Sequence, residues 1–241
     1  MAAARAWLPR LGGDAPRAGS SRRGTGLRAR LWSVTRWLAA LAIAYLALCA
    51  VGLVYLRFLP PLLTALQLQQ WIEHGDAPGS ASGFVPLKRL GPYLPRAAVA
   101  AEDARFFEHS GVDWLGMRKA AEDNVKRGRL WRGGSTITQQ LVKNLFLGTH
   151  GSFVRKAFEI PLALLADLIL PKDRILELYL NVVEFGPGIY GGEDAAQHYY
   201  DIPAAFLSRE QAARLVACLP APRTRRPQKM NAYSAKILRR M

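Results

Sequence analysis

This chain of 241 residues has few cysteines, no cluster of histidines and no long alternating pattern typical of β-strands. Each of these absences excludes a class of structure or site. The chain has two cysteines, Cys49 inside an apolar segment and Cys218 far from it, so we expect no internal disulfide. Four histidines are scattered without zinc-ligand spacing at positions 74, 109, 150 and 198. With no alternating stretch of useful length and no internal repeat, the folded part is predicted to be nearly all α.

Acidic residues are nearly missing from both ends, and the formal net charge of the whole chain is +15. Residues 1–36 hold eight arginines and one acid, Asp14, while residues 223–241 hold seven basic residues and no acid. The remaining body carries 18 basic and 17 acidic residues and is almost neutral. Charge confined to the ends favours anionic lipid over a nucleic-acid groove, so we expect no nucleic-acid partner.

Charge is also absent from the 20 residues between Arg36 and Arg57, which are mostly Leu, Ala, Ile and Val. A helix of that length spans about 30 Å, the thickness of a bilayer core. Trp37 and Tyr55 lie near its ends, where aromatic residues meet the membrane surface. We therefore predict a transmembrane helix at 37–56, with the arginine-rich N-terminus in the cytoplasm and the rest of the chain outside.

A cleaved signal peptide is the alternative for this segment. Its apolar core would be about 7–15 residues long, shorter than the segment seen here, and no clear small-x-small cleavage site follows. Leu48 before Cys49 also departs from a lipoprotein cleavage box. The length favours a retained anchor.

Five regions follow from these patterns. The predicted regions are an arginine-rich tail at 1–36, the membrane span at 37–56, a membrane-proximal segment and Gly/Pro/Ser-rich linker at 57–92, a helical domain at 93–222, and a basic tail at 223–241. The basic tail either rests on phospholipid headgroups or is solvated.

Capping residues and apolar periodicity predict the helices. We expect them at 62–73, 95–108, 114–126, from Thr136 up to Gly148, at 153–170, at 173–183 and, as the final helix, at 208–219. Asp113 and Ser208 are the expected N-caps, and Pro161 is expected to kink or interrupt its helix. The glycine-rich stretch 186–192 is predicted to be a loop.

The segment Gly133–Asn144, GGSTITQQLVKN, combines glycines with a polar helix face. Thr136 followed three residues later by Gln139 fits a capping box. Thr136, Gln140 and Lys143 are spaced to share one face. A helix N-terminus with free N–H groups, hydroxyls and a lysine one turn on suits an anion, especially a phosphate. A polar face that merely meets water gives the same pattern.

A second segment, Glu102–Gly111, has the sequence EDARFFEHSG. Glu102, Phe106 and His109 are spaced to lie on one face of a helix. A carboxylate beside an aromatic ring and alanines loses hydration, which raises its pKa and makes it usable as a general base. The alternative is an ordinary acidic helix surface with solvated Asp103 and Glu108.

The third segment, Arg155–Glu159, has the sequence RKAFE. Arg155 and Glu159 stand four residues apart and could form a surface ion pair worth only a few tenths of a kcal/mol. Together with Lys143, however, Arg155 could clamp a diphosphate.

These three segments, followed in order by Arg174–Asn181 (RILELYLN), resemble the successive motifs of the peptidoglycan glycosyltransferases. The resemblance covers about residues 93–222 and implies an all-α, lysozyme-like domain that polymerises lipid II behind one N-terminal transmembrane helix. Many relatives carry a penicillin-binding transpeptidase domain after this one. This chain ends at Met241, so we expect a monofunctional member.

The resemblance also implies catalytic roles. Glu102 would be the general base for the 4-hydroxyl of the acceptor N-acetylglucosamine, whose attack forms a β-1,4 bond with inversion. Lys143 and Arg155 would stabilise the departing undecaprenyl diphosphate. Glu159 is the second expected catalytic residue: it would orient these cations, support the reacting sugar, or bind Mg²⁺ or Mn²⁺ with the diphosphate. No other cofactor is expected.

Further residues are expected to bind or shape the substrate site. The remaining predicted substrate- and diphosphate-binding residues are Lys156, Thr136, Gln140, Ser135, Asp103, Phe106, His109, Gly134 and Asn144. Gly133 and Gly134 would let the backbone approach the substrate closely. Two departures from the motifs are Arg132, where relatives often have glutamine, and Pro161.

The expected partners are lipid II, the nascent lipid-linked strand, membrane lipids, and cell-division or cell-wall synthesis proteins. The expected location is the inner membrane, with a periplasmic catalytic domain. The sequence is also compatible with two other functions. One is a lysozyme-like lytic enzyme on peptidoglycan, which would need an acid for the leaving sugar oxygen. The other is a low-activity membrane scaffold for cell-wall assembly.

Overall fold

A computed structural model describes most of the chain. The described residues are 23–76, 82–126, 128, 134–149, 151 and 153–241. Most of the predicted arginine-rich tail, part of the linker at 77–81, and Arg132 and Gly133 lie outside them. The chain forms two compact units, residues 1–44 and residues 45–241. In the first unit the described residues are all helical.

Helices make up nearly all of the regular structure, as predicted. The α-helices are α1 (Arg23–Phe58), α2 (Ala65–His74), α3 (Tyr93–Glu102), α4 (Trp114–Lys126), α5 (Ile137–Val142), α6 (Phe153–Ile169), α7 (Lys172–Val182), α8 (Gly192–Tyr200), α9 (Arg209–Val216) and α10 (Ala232–Arg240). Two short antiparallel strands, β1 (Glu184–Gly186) and β2 (Ile189–Tyr190), form a hairpin that overlaps the predicted loop at 186–192. The all-α class is therefore confirmed.

Helix α1 is long and apolar enough to cross a membrane over residues 28–58, by length and composition. Within the second unit its last turns also pack on the domain. Cys49, Leu53 and Leu56 are buried there, and the Tyr45 hydroxyl donates to the Phe146 carbonyl at 2.9 Å. Cys49 and Cys218 are both buried and unpaired, so the two cysteines form no disulfide with each other.

Arg174 of α7 fixes the end of α1. Its Nε donates to the Leu56 carbonyl at 2.8 Å and its Nη2 to the Leu59 carbonyl at 2.7 Å. Arg57 donates in the other direction, to the carbonyl of Ile169 at the end of α6, at 2.7 Å. The last carbonyls of a helix have no partner within the helix, so these guanidinium groups satisfy them and seat α1 on the domain.

Helix α2 lies directly after α1 and is amphipathic. It begins at a capping box made by Thr64 and Gln67, and it ends at Gly75 in the left-handed conformation. One face is buried through Leu66, Gln67 and Gln70. The other face exposes Leu68, Trp71 and Ile72.

The core of the second unit is formed where α5 packs against α6 and α7, and α3 packs against α9 and α10. Its fully buried large side chains include Leu94, Ile137, Leu141, Tyr179 and Phe185. Helix α6 runs through Pro161 without interruption, so the predicted break there is wrong. The predicted N-caps are confirmed at Ser208, which forms a capping box, and at Asp113, whose carboxylate accepts from Gly116 N at 2.9 Å.

Two predicted helix boundaries are wrong. The helix expected to continue to Glu108 ends at Glu102, because Asp103 leaves the helical conformation and is held by other partners. The helix ending near Leu219 is not the last one, since α10 follows within the expected basic tail. Ser234 and Ile237 of α10 are buried, and Arg223 forms ion pairs with Asp76 and Glu184 at 2.7 and 2.9 Å.

Gly111 lies where α6 approaches the turn after α3, so a larger side chain at this position tests how close that approach is. Its φ is +79°, and an added Cβ would collide with the carbonyl oxygen of Ala163 on α6. Gly75 has a similar φ of +73° but open space around it. Gly111→Ala is expected to lower the free energy of unfolding by ~3 kcal/mol or more, and Gly75→Ala by about 1 kcal/mol. Denaturant unfolding of the detergent-solubilised chain measures both, and equal losses would show that the close approach to α6 is unimportant.

Candidate active site

Glu102 lies at the last position of α3 and faces α5. Its Oε2 accepts a hydrogen bond from Gln140 Nε2 at 2.9 Å. Its Oε1 is enclosed and receives no hydrogen bond from any described residue. Tyr179 of α7 donates its hydroxyl hydrogen to Gln140 Oε1 at 3.1 Å. This contact orients the Gln140 amide so that its NH₂ group points at Glu102.

The environment of Glu102 suits a proton acceptor. Burial raises the pKa of this carboxyl, while the Gln140 hydrogen bond and the nearby Lys143 charge lower it. The enclosed Oε1 offers a basic lone pair that no described donor occupies. A half-buried carboxylate with a raised pKa and one oxygen without a hydrogen-bond partner has the chemistry that a general base requires.

Asp103, the next residue, is structural. It is buried, its Oδ2 accepts from the backbone N of Ile137 at 3.0 Å, and both of its oxygens lie 3.0 Å from His109 Nε2. Burial raises the pKa of Asp103, and the bonds from His109 and Ile137 lower it. These contacts tie the end of α3 to the start of α5, so both carboxylate oxygens are already engaged by the protein.

The predicted stripe of Glu102, Phe106 and His109 on one helix face is wrong, because residues 103–110 form turns after α3. Phe106 is fully buried in the core, with Lys172 Nζ 4.8 Å above its ring. His109 points back to Asp103. Phe106 and His109 therefore support the turn that carries Asp103.

The start of α5 confirms one expectation and corrects another. Thr136 and Gln139 form the predicted capping box. The Thr136 hydroxyl also donates to the Gly111 carbonyl at 2.6 Å, and Asp103 accepts from Ile137 N. These donors at the helix N-terminus are thus used within the protein. The predicted face shared by Thr136, Gln140 and Lys143 is wrong at Thr136, which is buried.

The cationic part of the site is formed by Lys143, directly after α5, and by Arg155 and Lys156 of α6. Lys143 begins a π turn (Lys143–Leu147), an irregularity that is frequent at functional sites. Burial lowers the pKa of Lys143, and so does the nearby positive charge of Arg155, while Glu159 and Glu102 raise it. Lys143 thus lies near both the carboxylate of Glu102 and the side chains of α6.

Glu159 holds two of these cations. It is buried, with Arg155 Nε 3.4 Å from Oε1 and Lys156 Nζ 2.8 Å from Oε2. Lys156 also donates to Ser135 Oγ at 3.3 Å. With Lys143 included, three cations meet one buried carboxylate, so this part of the site carries a net positive charge.

The remaining predicted residues lie around these groups. Asn144 is buried in the π turn. Gly134 is exposed with φ +101°, and a small cavity of about 190 Å³ there is also lined by Glu102, Ser135 and Ala120. This cavity places open space beside the carboxylate.

Glu159 is a poor protein ligand for a divalent cation. Arg155 and Lys156 already face its oxygens and would repel such an ion. In the part of the chain that the structure describes, no group of three or more His, Cys, Asp or Glu side chains could hold a metal. Metal binding through Glu159 stays a prediction.

Three residues near Glu102 were not predicted: Tyr179, Tyr233 and Arg225. Tyr179 lies in an apolar stretch of α7, although the hydroxyl of a buried tyrosine is a signal that a polar partner is needed. Tyr233 and Arg225 come from the expected basic tail, and nothing in the local sequence pattern links them to Glu102.

The chain matches known proteins along most of its length. A family model described as Transglycosylase matches residues 72–241, which include α10. The chain is similar to proteins named biosynthetic peptidoglycan transglycosylase. That of Janthinobacterium sp. (strain Marseille) is 44% identical over 200 residues, 73% of this chain and 86% of the relative. That of Thiobacillus denitrificans is 56% identical over 140 residues, covering 58% and 60%, and that of Nitrosospira multiformis is 42% identical over 195 residues, covering 80% and 85%.

The buried charge of Glu102 should cost stability. Because its pKa is raised in the folded state, folding is weakened while the carboxyl is ionised, and this penalty disappears as falling pH protonates it. Glu102→Gln is expected to raise the unfolding midpoint at neutral pH by a few degrees, or about 1 kcal/mol. The difference from the parent chain should shrink on acidification. Thermal unfolding at several pH values measures it, and a variant less stable than the parent at neutral pH would contradict the argument.

Proposed function

The chain belongs to the transglycosylase family, and from this premise we propose that it is a peptidoglycan glycosyltransferase that polymerises lipid II into glycan strands. One observation carries the proposal. A desolvated carboxylate, Glu102, and a cluster of cations, Lys143, Arg155 and Lys156, lie beside α5 in one site. Such a site can accept a proton at the carboxylate and stabilise a departing anion at the cations.

In the proposed reaction, Glu102 Oε1 takes the proton from the 4-hydroxyl of the acceptor N-acetylglucosamine. The oxygen forms a bond to the anomeric carbon of the growing strand, and the bond from that carbon to the diphosphate oxygen breaks. The bonding electrons leave with undecaprenyl diphosphate. Attack from the side opposite the leaving group inverts the anomeric carbon and gives a β-1,4 link.

Lys143, Arg155 and Lys156 are proposed to stabilise the departing diphosphate. Negative charge grows on the leaving oxygen in the transition state, so cations placed there lower the barrier rather than merely tightening substrate binding. Glu159 orients Arg155 and Lys156 by pairing with both. Their partial burial strengthens the attraction compared with cations in water.

Membrane attachment fits substrates that are themselves lipid-linked. Helix α1 is proposed to anchor the protein in the inner membrane, with its arginine-rich end in the cytoplasm and the domain in the periplasm. The exposed face of α2, with Leu68, Trp71 and Ile72, follows the anchor directly. This face is proposed to rest in the outer leaflet, so that lipid II reaches the site without leaving the membrane.

A polymerisation assay tests the proposed function. Purified chain in detergent should convert labelled lipid II to glycan strands, and Glu102→Gln should reduce the rate by at least ~10³-fold because the base is lost. Glu210→Gln removes a carboxylate from the surface of α9 and should leave the rate unchanged. Release of fragments from finished peptidoglycan, with no product from lipid II, would support lytic activity instead.

The cation cluster has its own variants. Lys143→Ala and Arg155→Ala should each lower kcat by about 10²-fold or more, because a charge facing the transition state is removed. Lys88, exposed on the turn before α3, is the matched control, and Lys88→Ala should retain full activity. Normal polymerisation by both Lys143→Ala and Arg155→Ala would show that the diphosphate is stabilised elsewhere.

The alkaline side of the pH–rate profile should report Lys143. Since burial and Arg155 lower its pKa, the lysine loses its charge at a lower pH than an exposed lysine does, and the rate should fall there. Lys143→Arg keeps a positive charge at all these pH values. It should therefore retain activity further into the alkaline range, even if the rate at neutral pH is reduced. An unchanged alkaline limb would assign that ionisation to another group.

A further inference from the structure

We propose that Tyr179 is a positioning residue which, through the amide of Gln140, restricts proton transfer to one carboxylate oxygen of Glu102, the Oε1 atom. The inference rests on the proposed role of Glu102 as the general base. It gives the two oxygens of one carboxylate different tasks. Because Tyr179 is fully buried, it acts through its protein neighbours.

The hydroxyl of Tyr179 is committed to Gln140. It donates to Gln140 Oε1 at 3.1 Å, and the described residues offer it no other side-chain hydrogen bond. Burial raises the pKa of Tyr179 well above its ordinary value, so the phenol keeps its hydrogen. A buried O–H group that lacks an acceptor is costly. The hydroxyl therefore holds the oxygen end of the Gln140 amide towards α7.

A glutamine amide has two orientations, related by a half-turn that exchanges its oxygen and its NH₂ group. In the structure, Gln140 Nε2 donates to Glu102 Oε2 at 2.9 Å while Gln140 Oε1 accepts from Tyr179. The half-turn would place the amide oxygen against the carboxylate, so that two acceptors face each other. It would also leave the Tyr179 hydrogen without an acceptor. Tyr179 thus favours the orientation in which an N–H group faces Oε2.

This orientation determines which oxygen of Glu102 can carry a proton. A proton on Oε2 would meet the N–H donor of Gln140, whereas Oε1 has no hydrogen-bond partner among the described residues. In the proposed reaction, the O–H bond of the acceptor hydroxyl breaks and its proton goes to Oε1. The hydroxyl oxygen bonds to the anomeric carbon, and the diphosphate leaves with the electrons of the broken bond. Gln140 stays on Oε2 throughout.

Removal of the phenol hydroxyl should let the amide turn. In Tyr179→Phe the ring remains, but the Gln140 oxygen is free to accept a hydrogen bond from a protonated Oε2. The neutral form of Glu102 is then stabilised, so its pKa rises further. The other charged or titratable groups near this carboxyl are unchanged in the variant, and they are Lys143, Asp103, Tyr233 and Arg225.

The test compares pH–rate profiles of lipid II polymerisation by the full chain in detergent. The active base is the ionised carboxylate, so a higher pKa moves the acid limb of kcat to higher pH. On the acid side of the limb, Tyr179→Phe should be roughly fivefold slower than the parent chain, a displacement of about 0.7 on the pH scale. The two profiles should converge at higher pH, where Glu102 is ionised in both proteins.

A double variant tests whether Tyr179 acts through the amide. Gln140→Leu removes the amide, so adding Tyr179→Phe should leave the acid limb where Gln140→Leu has placed it. Thermal unfolding gives a measurement that does not depend on activity. Gln140→Leu should lower the unfolding midpoint more in the parent chain than in Tyr179→Phe, because only the parent is left with a buried hydroxyl that lacks its acceptor.

Tyr190→Phe is the matched control. Tyr190 is also fully buried, and its hydroxyl has no hydrogen-bond partner among the described residues, so the acid limb should not move. The inference is overturned by an unchanged limb in Tyr179→Phe, by a further shift in the double variant, or by equal losses of stability in the two backgrounds. Full activity of Glu102→Gln would instead overturn the proposed base, so the two failures can be told apart.

Discussion

The buried carboxylate of Asp103 is the contact on which the site depends. It ends α3 directly after Glu102, accepts the first free N–H of α5, and engages His109 from the following turn. Because both helices meet at this one group, Glu102 and Gln140 face each other at hydrogen-bonding distance. If α3 continued past Glu102, Asp103 would lie on the helix and could not hold the end of α3 against the start of α5. Glu102 would then not be fixed opposite Gln140. The interruption of the helix is thus what builds the site.

Burial shifts the pKa values of Glu102 and Lys143 in opposite directions. It makes Glu102 a stronger base and Lys143 a stronger acid, and the attraction between their charges partly offsets both effects. Glu159 forms ion pairs with both Arg155 and Lys156, and its negative charge reduces the repulsion between these two cations. The proposed diphosphate would meet three cations and two carboxylates, whose charges leave only a small positive excess once the product departs.

Much of this arrangement was predictable from local sequence patterns. Capping signals identified Thr136, Asp113 and Ser208, and the motif order indicated the family and the all-α fold. Contacts distant in sequence were not predictable in this way. The end of α3 at Glu102 depends on Ile137 and His109, and the burial of α10 depends on its packing against α3 and α9. The sequence of 223–241 has many basic residues and few apolar ones, as a solvated tail does. Only the packing of α10 on α3 and α9 shows that its apolar residues are buried.

The lipid-linked substrate of the proposed reaction has a kinetic consequence. Arg174 joins the carbonyls of Leu56 and Leu59 to α7, the helix whose Tyr179 orients Gln140 against Glu102. With α1 as the proposed membrane anchor, the enzyme and its substrate are confined to one membrane. Encounter with a lipid-borne substrate then becomes a search in two dimensions. Turnover under limiting substrate should follow the number of substrate molecules per unit of membrane area, and the volume concentration of the suspension should matter little.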